Sequence, residues 1–340
     1  MSTKVRWGIL STANIAVHEF IPGAARSRNG VVAAIASRDL DRAQAVANSL
    51  GIPVAYGSYE ELLANPEIDA IYNPLPNSLH AEWTAKAAAA GKPVLCEKPL
   101  ALGSEQALQM IDACRAHGMP LMEAFMYRFH PQHRRVMELI EAGVIGELRF
   151  VRAAFTFMLE PFPPANVRLR PELGGGALMD VGCYAVNATR MLFGEEPRWA
   201  SAQWDFRPEF GVEVSLAAIL GFSDGRLAIF DCGFRASGQG SYTAVGTTGQ
   251  IEVPSAFVPD PRNEVRIQIT SRGVPREERM PGVDQYQLEA EEFADALLSA
   301  RPLQIGAEDA VGTLRVIEAL HRSARRDGAR EVVEGAAGTS

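Results

Sequence analysis

The sequence predicts two domains: an α/β domain built on a parallel sheet, followed by an α+β domain built on an open, mostly antiparallel sheet. Three observations predict this. The 340 residues exceed a single typical core and suit two. Up to about residue 125, short apolar runs alternate strictly with helical segments, the rhythm of right-handed strand–helix–strand crossovers. After residue 130 the runs lengthen and alternate apolar with polar side chains, the period of strands with one wet face. The expected division is therefore 1–125 and 126–340.

In the first domain, residues 5–10 and 31–37 read as the first two strands, a helix follows over 41–50, and 54–56 is a short strand. Ser58 opens the next helix with Glu61 three residues on, a capping box that satisfies backbone donors at a helix start. Residues 70–74 form a strand, and 79–90 a helix closed by Gly91. A strand at 93–96, a helix at 104–117 ended by Gly118, and a strand at 121–125 complete the pattern. In the second domain 131–142 is helical and 148–159 is a long strand. Further strands fall at 199–207, 212–222, 227–234 and 241–245, with Thr247-Thr248-Gly249 as a hairpin turn. Val265, Ile267 and Ile269 alternate with polar residues in one more strand. Helices near 285–299 and 308–325 follow, and the small, polar tail from Gly335 is expected to fray.

Composition excludes several function classes. Hydrophobic residues are 47% and charged residues 22%, an ordinary globular balance, and the net charge of −8 argues against a nucleic-acid partner. No apolar run approaches the roughly 20 residues that span a bilayer. The chain enters a strand by Val5 without the basic and apolar stretches of an export signal. Cys96, Cys114, Cys183 and Cys232 lack metal or redox spacing and read as small buried hydrophobes, so a reducing, cytoplasmic setting is expected. His80, His117 and His133 show no zinc spacing, and no metal is expected. His117, His130 and His133 lie in or near helices and read as structural.

A dinucleotide fold places a glycine-rich turn between its first strand and first helix. Here that turn reads Ser11-Thr12-Ala13-Asn14-Ile15-Ala16, with Ser11 and Ala13 where the first two glycines would stand. Backbone N–H groups at a helix start can still hold a pyrophosphate. The second strand ends in Ser37 and Arg38 rather than in the acidic residue that binds a ribose 2′-hydroxyl. Arginine suits a 2′-phosphate, and Arg42 lies one turn on. NADP is therefore expected over NAD, with Asp39 a source of repulsion if it faces inward.

Two motifs carry the chemistry. Cys96-Glu97-Lys98-Pro99 puts a lysine at the carboxyl end of a parallel strand, the edge where such sheets bind ligands. His80 follows Asn73-Pro74-Leu75-Pro76-Asn77 at the same edge, and either contacts the cofactor ribose or caps its helix. Leu75, Asn77, Glu97 and Lys98 are expected to border the cofactor there. The second motif is Gly174-Gly175-Gly176-Ala177-Leu178-Met179-Asp180-Val181-Gly182-Cys183-Tyr184. Its spacing puts Asp180 and Tyr184 on one helix face, continued by Asn187, while the glycines let the backbone pass a bulky group such as a cofactor ring. A tyrosine ordinarily ionises near pH 10, so a base working near neutrality needs a shift of about three units, or about 4 kcal/mol. A neighbouring lysine cation supplies a shift of that sign.

These motifs, with Trp7-Gly8-Ile9-Leu10 and Leu192-Phe193-Gly194-Glu195-Glu196-Pro197, resemble the glucose–fructose oxidoreductase / inositol dehydrogenase / rhizopine-catabolism family over nearly the whole chain. The resemblance implies a Rossmann domain followed by an open-sheet domain, a cis bond before Pro99, and homodimers or homotetramers packed through the open sheet. It implies Lys98 as the assisting residue near the nicotinamide and the substrate hydroxyl. Inositol-type members carry histidine where this chain has Tyr184; tyrosine resembles the branch acting on aldoses, anhydro-ketoses and dihydrodiols. Asn166-Val167-Arg168-Leu169-Arg170-Pro171-Glu172-Leu173 also looks like the glucose–fructose and xylose dehydrogenase branch, with Arg168 expected at the cofactor or sugar, or else in a surface salt bridge.

The expected activity is NADP-dependent oxidation of an aldose at its anomeric carbon, with Tyr184 handling the hydroxyl proton, Lys98 assisting it and Asp180 binding a sugar hydroxyl. The alternatives are reduction of a keto or anhydro sugar, oxidation of a cyclic diol, cycling between two sugars on a retained cofactor, and a nucleotide-binding sensor without chemistry.

Overall fold

The computed structural model describes residues 4–163 and 165–335; the end of the polar tail lies outside the described residues. In chain order the first elements are β1 (Val5–Leu10), α1 (Ile21–Arg26), β2 (Gly30–Ala36), α2 (Leu40–Leu50), β3 (Val54–Tyr56) and α3 (Tyr59–Ala64). Next come β4 (Ala70–Asn73), α4 (His80–Ala89), β5 (Val94–Glu97), α5 (Ser104–Ala116) and β6 (Leu121–Ala124). Then follow α6 (Pro131–Glu141), β7 (Leu148–Met158), α7 (Cys183–Phe193), β8 (Trp199–Arg207), β9 (Val212–Gly221) and β10 (Leu227–Gly233). The last are β11 (Arg235–Gly246), β12 (Gly249–Val253), β13 (Val265–Ser271), β14 (Val274–Met280), α8 (Gln285–Leu298), α9 (Glu308–Arg325) and β15 (Glu331–Val332).

Strands β1 to β6 form a parallel sheet in the order β3-β2-β1-β4-β5-β6. The chain winds outward one way from β1 and then the other, so the strand order reverses between β1 and β4, where such sheets bind ligands. Residues 51, 91 and 118, all glycines with positive φ, end α2, α4 and α5. Ser58 caps α3 by accepting from the Glu61 N–H at 3.2 Å. The nine remaining strands form one sheet in the order β14-β13-β12-β11-β7-β10-β9-β8-β15, antiparallel except for the parallel β7–β10 pair. β11 begins at Arg235, earlier than the alternation predicts, because Gly238 and Gly240 interrupt the pattern where its register with β7 shifts.

By contacts, one compact unit comprises 1–129 with 284–311, and the other 130–283 with 312–340. The first unit thus takes in α8, which the sequence boundary at 125 assigns to the second domain. Its reason is apolar: Ala290, Phe293 and Ala294 are fully buried in the core of the parallel sheet with Trp7, Phe20 and Tyr72. Phe293 lies 5.4 Å from Trp7, and Phe20 stacks on Tyr72 at 3.7 Å. Full burial of one such ring stabilises by about 1.5–3 kcal/mol. All four cysteines are buried free thiols, and no described helix is long and apolar enough to cross a membrane.

Candidate active site

In the first unit, the predicted residues gather where the parallel strands end. Ser11 directly follows β1 with φ of 109°, a backbone conformation suited to the glycine of the nucleotide turn, and donates its N–H to Ala36 O at 2.9 Å. Thr12 is buried, and the helix that follows runs through a π-helical turn over Ala16–Phe20 before α1. Its first turn leaves backbone N–H groups near Ala13, Asn14 and Ile15 without intrahelical acceptors. After β2, Ser37 is buried while Arg38 and Arg42 are exposed. Asp39 caps α2 by accepting from Arg42 N–H at 3.2 Å, so its carboxylate has a helix start to hold. Sequence reasoning missed Tyr59. Its hydroxyl bonds to Ser11 and Arg38 with Arg42 close by, while burial pushes the phenol up. A tyrosine directly after the Ser58 cap is the signal that was present.

Lys98 follows β5, is half-buried, and precedes Pro99 through a cis peptide. Glu97 turns inward: its carboxylate accepts from the Tyr72 hydroxyl at 2.5 Å and from Lys98 N–H at 3.3 Å. His80 does neither thing expected of it. It is fully buried, with Nε2 2.7 Å from Leu75 O and Nδ1 3.1 Å from Pro99 O. The imidazole lies between the loop after β4 and the loop carrying Lys98 and donates its single N–H to one of these carbonyls, and burial pushes its pKa down to about 4. Leu75 is buried and Asn77 lies in the short turn entering α4.

In the second unit, Asp180 lies in a π-helical turn, Leu178–Gly182, that leads into α7. The Cys183 N–H reaches back five residues to Leu178 O, so the regular four-residue face assumed for Asp180 and Tyr184 does not hold. Asn187 leaves the expected stripe as well: it is fully buried and donates to Thr313 Oγ1 at 3.3 Å. Arg168 pairs with Asp180 at 2.6 Å and lies 5.5 Å from the Phe157 ring, so its guanidinium is directed at that carboxylate. Tyr184 is 4% exposed, against the rings of Phe155 and Phe257 at 5.1 and 5.5 Å.

Two glycines of the block are confined by the protein's own atoms. A Cβ on Gly175 would stand 2.6 Å from Arg168 O, and one on Gly176 would stand 2.6 Å from the Glu213 carboxylate. Glu213, buried on β9 and missed in the sequence, accepts from Leu178 N–H at 2.9 Å and so caps the turn that carries Asp180. Gly176 makes room for that cap, and Gly175 for the Arg168 carbonyl.

Known proteins share both halves. Residues 5–125 match an oxidoreductase family with an NAD-binding Rossmann fold, and residues 133–252 match the GFO/IDH/MocA C-terminal domain. The chain belongs to the GFO/IDH/MocA family. It is 41% identical over 95% of its length to an uncharacterized oxidoreductase of Rhizobium meliloti, covering 97% of that protein. It is 40% identical to a D-xylose 1-dehydrogenase (NADP(+)) of Haloferax volcanii, over 96% of this chain and 99% of the other. Among solved structures, a 3-ketoreductase from Actinomadura kijaniata in complex with NADP and TDP-benzene superposes with a TM-score of 0.88. It is 32% identical, covering 94% of this chain and 98% of that one.

As a GFO/IDH/MocA member the chain is an NAD(P)-dependent oxidoreductase, and its residues fit the cofactor. The serine that keeps a glycine-like φ, the backbone donors after it, and two arginines beside the Tyr59 hydroxyl are the groups that would hold its phosphates. No group of three or more His, Cys, Asp or Glu among the described residues is arranged to hold a metal ion.

Proposed function

We propose that this protein oxidises an aldose of the xylose or glucose type at C1, with NADP as the hydride acceptor. The observation that carries this reading is Lys98 at the carboxyl edge of a parallel sheet that also presents the Ser11 turn and Arg38. The likeness to the Haloferax D-xylose dehydrogenase supports the aldose. When bound, NADP supplies the hydride-accepting carbon. Ser11, Thr12, Ala13, Asn14 and Ile15 hold its pyrophosphate, and Arg38, Arg42 and the Tyr59 hydroxyl read its 2′-phosphate. Tyr184 takes the proton of the sugar hydroxyl. Lys98 orients the hydroxyl. Asp180, oriented by Arg168, accepts a hydrogen bond from a neighbouring sugar hydroxyl.

The Actinomadura reductase has also been crystallised as a tyrosine-to-phenylalanine variant and as lysine-to-alanine and lysine-to-glutamate variants, the two residue types this reading assigns to the proton step. That relative also favours a second reading, reduction of a keto sugar by the same residues in reverse. Assembly through the open sheet is part of the proposal. The outward face of β9 and β10 exposes Ile219 and Ile229.

The test is reduced-nicotinamide absorbance with NADP and NAD over a panel of aldoses, polyols and keto sugars. Lys98→Met is expected to abolish turnover while NADP binding by fluorescence titration stays near parental. Parental turnover in Lys98→Met or in Tyr184→Phe refutes the mechanism. Turnover with keto sugars alone selects the reductive reading.

A further inference from the structure

We propose that His133 and Gln132 are positioning residues that hold Phe257 as a wall behind the ring of Tyr184. The inference rests on the proton-transfer role proposed for Tyr184. Both residues lie in the first turn of α6. His133 Nε2 is 2.9 Å from Ala256 O, and its Nδ1 is 2.9 Å from the Tyr242 hydroxyl. A neutral imidazole with its proton on Nε2 donates to Ala256 and accepts from Tyr242, which satisfies both nitrogens. Gln132 Nε2 donates to Ser255 O at 2.9 Å. From the other side, Ala256 N–H donates to Gly240 O on β11 at 2.6 Å.

The backbone at Ser255 and Ala256 is therefore pinned between a helix and a strand. The next residue is Phe257. It is fully buried, stacks on Phe155 at 5.3 Å with the planes 16° apart, and meets Tyr184 at 5.5 Å. Phe155 in turn meets Tyr184 edge-on. Phe155 is fixed by β7, whereas Phe257 sits on a connection between strands, the part of a fold that otherwise moves most. The clasp removes that freedom. A base displaced by about 1 Å loses roughly 100-fold in rate, so the second ring fixes where the phenol hydroxyl lies.

Steady-state kinetics of Phe257→Leu, His133→Leu and His133→Gln, alone and on a Tyr184→Phe background, test this. Phe257→Leu and His133→Leu are expected to lower kcat about tenfold or more, with the sugar KM and NADP affinity within about twofold. His133→Gln keeps an N–H for Ala256 O and is expected to retain most of kcat. On the Tyr184→Phe background none of the three produces a further fall, because what they position is gone. Unchanged kcat in folded Phe257→Leu, or the same fold-loss with and without the Tyr184 hydroxyl, overturns the clasp and leaves the role of Tyr184 intact. Parental turnover in Tyr184→Phe alone overturns the tyrosine role, and the clasp with it. Should His133→Leu fail to fold, Phe257→Leu decides the matter.

Discussion

Gly176→Ala separates two reasons for the glycine block. Gly176 has φ of 113°, and an added Cβ would stand 2.6 and 2.9 Å from the two Glu213 oxygens. Glu213 is 3% exposed and already engaged with Leu178 N–H, so it cannot move aside without leaving a buried donor unpaired. Holding alanine in that backbone conformation costs about 1–3 kcal/mol. Losing the charged hydrogen bond costs about 1.5–3 kcal/mol more. The expected loss is therefore about 4 kcal/mol, a large part of the roughly 5–15 kcal/mol that holds a domain folded. Urea unfolding followed by circular dichroism measures it, with parent and variant compared at equal slope. Shortening the neighbour in Gly176→Ala/Glu213→Asp opens space and should recover part of the loss. kcat falls as well, since the displaced cap starts the turn that carries Asp180. Stability within about 0.5 kcal/mol of the parent, with only the NADP KM raised, refutes the reasoning and returns the glycines to a cofactor ring.

Burial holds the imidazoles of His80 and His130 at about 4, below the ordinary 6.5. The unfolded chain binds these protons first, so stability is lost as pH falls from 6.5 towards 4, by up to about 3 kcal/mol per histidine. Urea midpoints of parent and His80→Gln across that range check it, and a pH-independent difference between them counts against it. Glu289 behaves oppositely. It is fully buried, neither carboxyl oxygen has a hydrogen-bond partner among the described residues, and burial, with Glu97 nearby, holds its pKa well above the usual range. It keeps a proton that the unfolded chain releases, so its contribution falls as pH rises above about 4.5. Glu289→Gln should exceed the parent in stability by about 1 kcal/mol or more at pH 8, with the gap closing by pH 5. Arg38→Ala should raise the NADP KM about tenfold and leave that for NAD nearly unchanged; equal effects on both would remove Arg38 as the phosphate reader.

The parallel sheet was legible because each apolar run is short and is followed by a helix, several of them ended by a glycine, as at Gly91 and Gly118. The positions of Lys98 and Ser11 at strand ends were legible for the same reason. What escaped has long-range causes. Glu213 sits at a buried position between Val212 and Val214, and nothing local shows that a helix start 35 residues away in sequence needs its carboxylate. The π turns at 16–20 and 178–182 leave apolar spacing almost unchanged while shifting which residues share a face. The burial of His80 escaped because its partners are carbonyl oxygens, which carry no side-chain signature.

The return of α8 into the first unit bears on how the chain is made. Trp7 and Phe20 need Phe293 as a neighbour, yet Phe293 is synthesised 273 residues after Phe20. At about 5–20 residues per second, a ribosome leaves that apolar face uncovered for roughly 15 to 55 seconds. For that interval the nascent dinucleotide domain has its strands but lacks part of its core, and it presents to chaperones the sticky surface of an unfinished protein. Release at residue 125 would make that state permanent, so a soluble, stable fragment of this length is not expected.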